Sequence, residues 1–215
     1  KSFGYPSVSE IYDEINIDII KDYLAQGKCS ELNEVLKTSR NETLLKLIED
    51  ESIKYAFFEC LVESPYEKAY LQIKDTFNKT RDANIYLYLE KMAYNLGLMN
   101  EASDFSTKVE MVDDQMVLAN EFLYRYQIIK QKSEPIAMER FFTYTNQNPS
   151  YIKANENNPI IIDFYYDYYL DLIKGKNKVL ANEILNSLYN KQKALKAFVY
   201  SPFVETELAR VAKES

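Results

Sequence analysis

The 215-residue chain contains no histidine, no tryptophan and only four glycines. The absence of histidine removes the commonest general base, the usual serine and cysteine triads, and the usual zinc and iron sites. The glycines, Gly4, Gly27, Gly97 and Gly175, stand too far apart to form a phosphate-binding loop. We therefore expect a protein that is not an enzyme and has neither a cofactor nor a metal site. A hydrolase or lyase that uses carboxylates alone stays open as an alternative.

The chain has only two cysteines, Cys29 and Cys60, which is far below the density of a disulfide scaffold. Their spacing does not decide whether they pair. Because Cys29 follows a chain corner whereas Cys60 falls late in a helix, we expect two unpaired thiols, at least one of them buried. The compartment therefore stays open between the cytoplasm and export, for example to the periplasm.

Long apolar runs and excess positive charge are also absent. No run approaches the roughly 20 apolar residues that span a bilayer, so we expect a soluble chain without membrane insertion. Lys and Arg total 26 against 33 Asp and Glu, for a formal net charge of −7. Because a negative protein attracts phosphate backbones only weakly, nucleic acid is not an expected partner.

What the chain does have is a regular series of helix-breaking residues. They occur at gaps of 38, 32, 38 and 40 residues, at Gly27, Pro65, Gly97, Pro135 and Gly175. Glycine adopts the left-handed conformation that ends a helix, and proline suits the first turn of the next one. A repeat of 20 to 50 residues is typical of a solenoid. We therefore predict an all-α fold, a right-handed solenoid of about five antiparallel helical hairpins with terminal capping helices.

The predicted organisation is a single helical-repeat domain over 1–215. Its hairpins cover about 10–40, 42–80, 82–113, 115–147 and 159–190, and capping helices cover 192–212. The polar, turn-rich stretch 146–159 is predicted to be a long loop. In the first helix, apolar side chains fall on one face at helical spacing, namely Ile11, Ile15, Ile19, Tyr23 and Leu24.

The return helices share a small residue followed four positions later by a larger apolar one. The pairs are Ala69 and Ile73, Ala137 and Phe141, and Ala181 and Leu185, with looser versions at Ala102 and at Leu32. After a glycine corner this pattern resembles the tetratricopeptide repeat, over about residues 10–190. The chain departs from that family in having no tryptophan and only Pro149 as a terminal proline. Another right-handed helical repeat and a non-repetitive helical domain therefore stay open.

Tyrosine is abundant, with 19 residues, and 12 of them fall on the predicted first helices of the hairpins. The resemblance implies that these helices line a concave groove, where amphipathic rings hold an extended ligand. The alternative is that tyrosine replaces phenylalanine or leucine in the core. Asp163, Asp167 and Asp171 form one acidic stripe, which suits a basic peptide or is simply a solvated face. The candidate groove residues are Tyr86, Glu90, Glu121, Tyr124, Asp163, Tyr165 and Asp167.

These patterns predict a protein- or peptide-binding scaffold or adaptor with a tyrosine-rich, acidic groove, and the carboxylates favour a basic partner. The alternative is a non-catalytic helical arm of a larger enzyme or cell-envelope assembly, because helical superhelices form such arms in bacterial lytic transglycosylases. Uncovered apolar residues on the end helix, Phe198, Phe203 and Val204, would favour the arm. The oligomeric state does not follow from the sequence.

Overall fold

The computed structural model describes residues 7–129, 135–194 and 201–214. Within these residues every regular element is helical and no strand occurs, which confirms the all-α prediction. None of the helices described is both long enough and apolar enough to cross a membrane. The chain divides into two compact units, residues 1–114 and 115–215, and each is described by itself.

The first unit consists, in its described part, of seven helices. They are α1 (Val8–Gln26), α2 (Cys29–Thr38), α3 (Asn41–Glu49), α4 (Lys54–Glu63), α5 (Glu67–Thr76), α6 (Ala83–Asn95) and α7 (Met99–Val112). A capping box begins α1, because Ser7 Oγ accepts from the Glu10 amide and the Glu10 carboxylate accepts from the Ser7 amide. Asp82 caps α6 by a single bond, because its carboxylate accepts from the Asn84 amide. The predicted corners at Gly27, Pro65 and Gly97 all lie between consecutive helices.

The second unit begins with α8 (Gln115–Tyr124), which continues into a π-helical turn at Arg125–Ile129. It continues with α9 (Pro135–Gln147), α10 (Pro149–Ala154), α11 (Ile160–Lys174), α12 (Lys178–Ala194) and α13 (Ser201–Glu214). Pro135 is the first residue of α9, and Gly175 separates α11 from α12. Both residues therefore lie at helix ends, as the series of helix-breaking residues predicts.

Three segments differ from their predicted form. The first arm of the second hairpin is broken after Asp50, whose carboxylate accepts hydrogen bonds from Ser52 and turns the chain between α3 and α4. The stretch 146–159 contains the short helix α10, which starts at Pro149 because proline suits a first helical turn. Helix α12 runs on to Ala194 without a break near 191.

Cys29 and Cys60 form a disulfide, so the expectation of two unpaired thiols is wrong. The corner at Gly27 turns the chain back and places Cys29, the first residue of α2, beside α4. The Cα atoms of Cys29 and Cys60 lie 4.9 Å apart. Asn33 Nδ2 donates to the carbonyl oxygen of Ser64 at 2.5 Å and to its Oγ at 2.8 Å. Helix α2 is therefore joined to α4 by one covalent bond and by a polar contact.

Two of the three small and large apolar pairs of the return helices are fully buried, and in the third pair Ala137 is only partly buried. Ala69, Ile73, Ala181 and Leu185 are completely inaccessible, and Phe141 is nearly so. In the second unit Phe141 belongs to a trio with Phe122 and Phe164, whose ring centroids lie 4.6 to 5.0 Å apart. The alanines let neighbouring helices approach, and the larger residues fill the space between them.

Replacing Cys29 and Cys60 together by alanine removes the crosslink between α2 and α4. The two residues are separated by 31 positions, so we expect the free energy of unfolding to fall by about 3 to 4 kcal/mol in the chain-entropy account. Urea denaturation without reductant measures the change. As a control, dithiothreitol should destabilise the native protein and leave the variant unchanged. Equal urea midpoints for the two proteins would contradict the prediction.

Gly97→Ala should lower the free energy of unfolding by about 1 kcal/mol. Gly97 has a φ of +78°, which L side chains rarely adopt, and an added Cβ would meet nothing within 4 Å, so the loss is purely conformational. Gly175→Ala is the matched control, because Gly175 has a φ of −74°. It should leave stability unchanged or slightly higher. Thermal denaturation measures both variants. An equal loss of stability in Gly97→Ala and Gly175→Ala would contradict the claim that the positive φ of Gly97 causes the loss.

Candidate protein-interaction surface

The inner side of α1 is unusually polar. Asp13, Asn16 and Ile20 are its buried residues. Asp13 Oδ1 accepts a hydrogen bond from Thr43 Oγ1 at 2.8 Å and another from Arg40 Nε at 3.1 Å, and Arg40 also forms an ion pair with the second carboxylate oxygen. These contacts join α1 to the start of α3.

The electrostatics of this contact favour an ionised Asp13. The hydrogen bond from Arg40 is the main cause that holds the pKa of Asp13 below its usual value, and Thr43 acts in the same direction while burial opposes it. A buried carboxylate needs such partners, because an unpaired one would carry a large desolvation penalty. The network therefore determines which side of α1 packs against the other helices of the first unit.

An adjacent side of α1 carries a row of exposed apolar side chains, here called the α1 apolar face. Its five residues are between 36% and 85% exposed: Val8, Ile11, Tyr12, Ile15 and Ile19. They recur at spacings of three and four residues and so form one stripe, about 16 Å long at 1.5 Å per residue. By contrast, Val179 on α12 is exposed without belonging to such a row. A contiguous exposed apolar stripe is characteristic of an interaction site.

Carboxylates border this face on one side. Glu14, Asp18 and Asp22 are exposed and follow one another at four-residue spacing, beside Ile11 and Ile15 on the helical wheel. The only basic residue of α1, Lys21, forms a salt bridge with Asp50 at 3.0 Å. The α1 apolar face therefore has a negative edge.

In the first unit, the predicted groove residues Tyr86 and Glu90 are both buried on α6, at 8% and 2% exposure. Tyr86 donates through its hydroxyl to the carbonyl oxygen of Thr80 at 2.5 Å, and its ring stacks on Phe105. The Tyr86 ring therefore takes part in the packing of α6 against α7.

In the second unit, Glu121 and Tyr165 are buried, Tyr124 and Asp163 are half-buried, and Asp167 is exposed. Glu121 forms an ion pair with Arg125 one turn further on. Asp167 accepts a hydrogen bond from the hydroxyl of Tyr126. Asp163 and Asp167 share one face of α11, whereas the Tyr165 hydroxyl lies 2.5 Å from Thr145 Oγ1.

The sequence singled out Ile11, Ile15 and Ile19 as one face of a helix but did not identify that face as an interaction surface. Helical periodicity shows that an apolar stripe exists, and such a stripe usually packs inward. The sequence did contain one signal, because the polar residues Asp13 and Asn16 lie outside the apolar stripe. That signal identifies the buried side of α1 only once Arg40 and Thr43 are known to lie beside Asp13.

Comparison with protein-family models, with curated proteins and with solved structures found no match.

Asp13→Asn should destabilise the protein at neutral pH and much less in acid. A carboxyl group with a lowered pKa in the folded state contributes stability above its unfolded pKa of about 3.9, and this stability is lost as the pH falls through the folded value. Thermal denaturation at neutral pH and at about pH 3 measures the difference in melting temperature between native and variant protein. Asp18→Asn, on the exposed side of α1, is the control. A difference in melting temperature that stays constant with pH would contradict the role of the Asp13 charge.

Proposed function

We propose that this chain is a protein- or peptide-binding module, and that its α1 apolar face binds an amphipathic helix with basic residues beside its apolar stripe. The observation that carries the proposal is the row of five exposed apolar side chains on a helix that buries Asp13 and Asn16 instead. Placing apolar side chains in water is unfavourable, so their burial against a partner supplies the driving force.

The spacing of the α1 apolar face suits a helical partner. Residues at i, i+3, i+4, i+7 and i+11 make a seam along which a second helix packs its own stripe. A ligand of this shape buries the whole face at once. Helix α1 is already folded and held by Asp13, so it pays little ordering cost on binding.

The charge beside the seam supports a basic partner. Helix α1 contains five carboxylates and a single lysine, and Glu14, Asp18 and Asp22 line one edge of the seam. Lysine or arginine next to the partner's stripe would face these carboxylates and raise the association rate. A second copy of α1 would bring the same negative edge, and an anionic lipid surface would be repelled.

We propose in addition that the two units are built from degenerate tetratricopeptide-like hairpins. The full burial of two of the three small and large apolar pairs supports this arrangement. Of the predicted groove residues, Tyr124, Asp163 and Asp167 are accessible enough to touch a ligand of the second unit. Tyr86, Glu90, Glu121 and Tyr165 would act by holding the helices that present them.

A non-catalytic arm of a larger envelope assembly is the second candidate, and the Cys29–Cys60 disulfide favours it. Disulfides persist mainly in exported proteins, because the cytosol keeps thiols reduced. Exposed apolar residues on the end helix do not add support. Phe203 is partly buried against Tyr166 and Tyr169, Val204 is fully buried, and Phe198 lies outside the described residues.

A labelled synthetic helix tests the binding proposal. The probe is a fluorescein peptide of about 18 residues, roughly 27 Å as a helix, with leucines in one stripe and lysines beside it. Fluorescence anisotropy should show saturable binding to the native protein. The double variant Ile15→Gln and Ile19→Gln should bind at least about tenfold more weakly, because each half-exposed isoleucine contributes about 1 kcal/mol. Glutamine favours helix, so α1 should stay folded, and circular dichroism verifies this.

Three controls make the result specific. Val179→Gln removes an exposed apolar side chain on α12 and should bind the probe like the native protein. Replacing Glu14, Asp18 and Asp22 by their amides should weaken binding and reduce its dependence on salt. A peptide of the same composition without a stripe should bind poorly. Equal affinity of the native protein and the isoleucine variant would overturn the proposal, and self-association lost in that variant would make a second copy the partner.

A further inference from the structure

The second unit contains a cavity of about 290 Å³ between the ends of α9, α10 and α12. Its wall includes Thr145 and Asn146 from α9, Ile152 from α10 and Lys191 from α12. The cavity lies entirely within this unit and is separate from the α1 apolar face. Its volume is at the lower end of the range for small-molecule sites, which favours a compact ligand.

Lys191 is the unusual residue of this wall, because lysine is rarely buried without a carboxylate partner. It is 9% exposed. Its ammonium donates to the carbonyl oxygen of Thr145 at 3.2 Å and lies 5.2 Å from the ring centroid of Tyr165. No carboxylate of the described residues forms an ion pair with it. An ammonium carries three donors, and the Thr145 carbonyl occupies one.

The side chains around Lys191 are buried and hydrogen-bonded to one another. Thr145 is 1% exposed and Tyr165 is fully buried, and their hydroxyl oxygens lie 2.5 Å apart. Tyr165 Oη also lies 3.3 Å from Asn146 Oδ1, which it reaches as a donor. This contact uses one of the two acceptor positions of the Asn146 oxygen, and the NH₂ group of the same amide is a donor for a ligand.

Burial lowers the pKa of Lys191 to about 8, so its amine still carries a proton at neutral pH. A buried cation without a counter-charge is costly, and a bound anion would reduce that cost. Lys153 and the Asn190 amide also line the cavity and add positive charge and a donor. Glu156 lines it too, so two lysines and one carboxylate leave the wall with one net positive charge, which suits a ligand with one negative charge.

We infer that this cavity is a binding site for a small monocarboxylate whose carboxylate accepts hydrogen bonds from Lys191 and the Asn146 amide. Ile152 and Pro149 supply an apolar surface for the short hydrocarbon part of the ligand. The cavity volume selects compact acids, and the one net positive charge of the wall suits a single negative charge. The site needs no partner on α1, so it stands independently of the helix-binding surface.

Benzoate and 3-methylbutyrate are the probes, and benzamide and 3-methylbutyramide are their neutral counterparts. Ligand-detected NMR on the full chain should show saturable binding of the carboxylates and much weaker binding of the amides. Lys191→Met keeps the length of the side chain but removes the charge, and it should weaken carboxylate binding at least about tenfold, as expected for a charged hydrogen bond. Lys193→Met, on the exposed side of α12, should bind benzoate as the native protein does.

A second measurement needs no substitution at Lys191. Acetylation with limiting N-hydroxysuccinimide acetate, followed by peptide mass spectrometry, reports the accessibility of each amine. Benzoate should slow acetylation of Lys191 and leave Lys193 unchanged. The inference is overturned if no carboxylate binds, if carboxylates and amides bind equally, or if Lys191 is not protected. Unchanged binding to the Lys191→Met variant would also overturn it.

Discussion

The orientation of α1 in the first unit depends on one buried carboxylate, Asp13, which meets the half-exposed Arg40 and the buried Thr43 at the start of α3. A carboxylate in this position has to keep its partners, because exchanging them for apolar contacts would leave a charge unsatisfied. The contact therefore sets the rotation of α1 about its own axis. With Asp13 turned inward, Ile15 and Ile19 are left exposed to solvent. The need to pair one buried carboxylate thus leaves apolar side chains on the surface of the unit.

The disulfide between Cys29 and Cys60 complements this contact. It ties α2 to α4, and the hydrogen bonds from Asn33 to Ser64 hold the same pair of helices at the end of α4. The helices behind α1 are thereby crosslinked, so the exposed face is presented by a preorganised support. Such preorganisation would reduce the ordering cost of the binding proposed for this face.

Several tyrosines in both units share one structural role. Its rings fill space between helices while the hydroxyl finds an acceptor nearby, as in Tyr70 with Glu101, Tyr55 with Asp82 and Tyr169 with Glu207. Each such residue combines apolar burial with one directional bond, which specifies how two helices align. At Tyr165 the same arrangement has a further consequence, because its ring and the Thr145 carbonyl hold the ammonium of Lys191 at the edge of a cavity.

The sequence by itself determined the helical class and most helix boundaries, because these follow from local backbone preferences. Gly27 and Gly97 adopt positive φ and end helices, and Pro149 starts one, as their own conformational limits require. Only the tertiary structure decided that Cys29 reaches Cys60, that Asp13 turns inward and that Lys191 is buried. Those outcomes depend on contacts between residues 27 to 46 positions apart, and helical periodicity does not specify which helix faces which. The α1 apolar face was therefore visible in the sequence as a stripe, but its exposure was a result of packing.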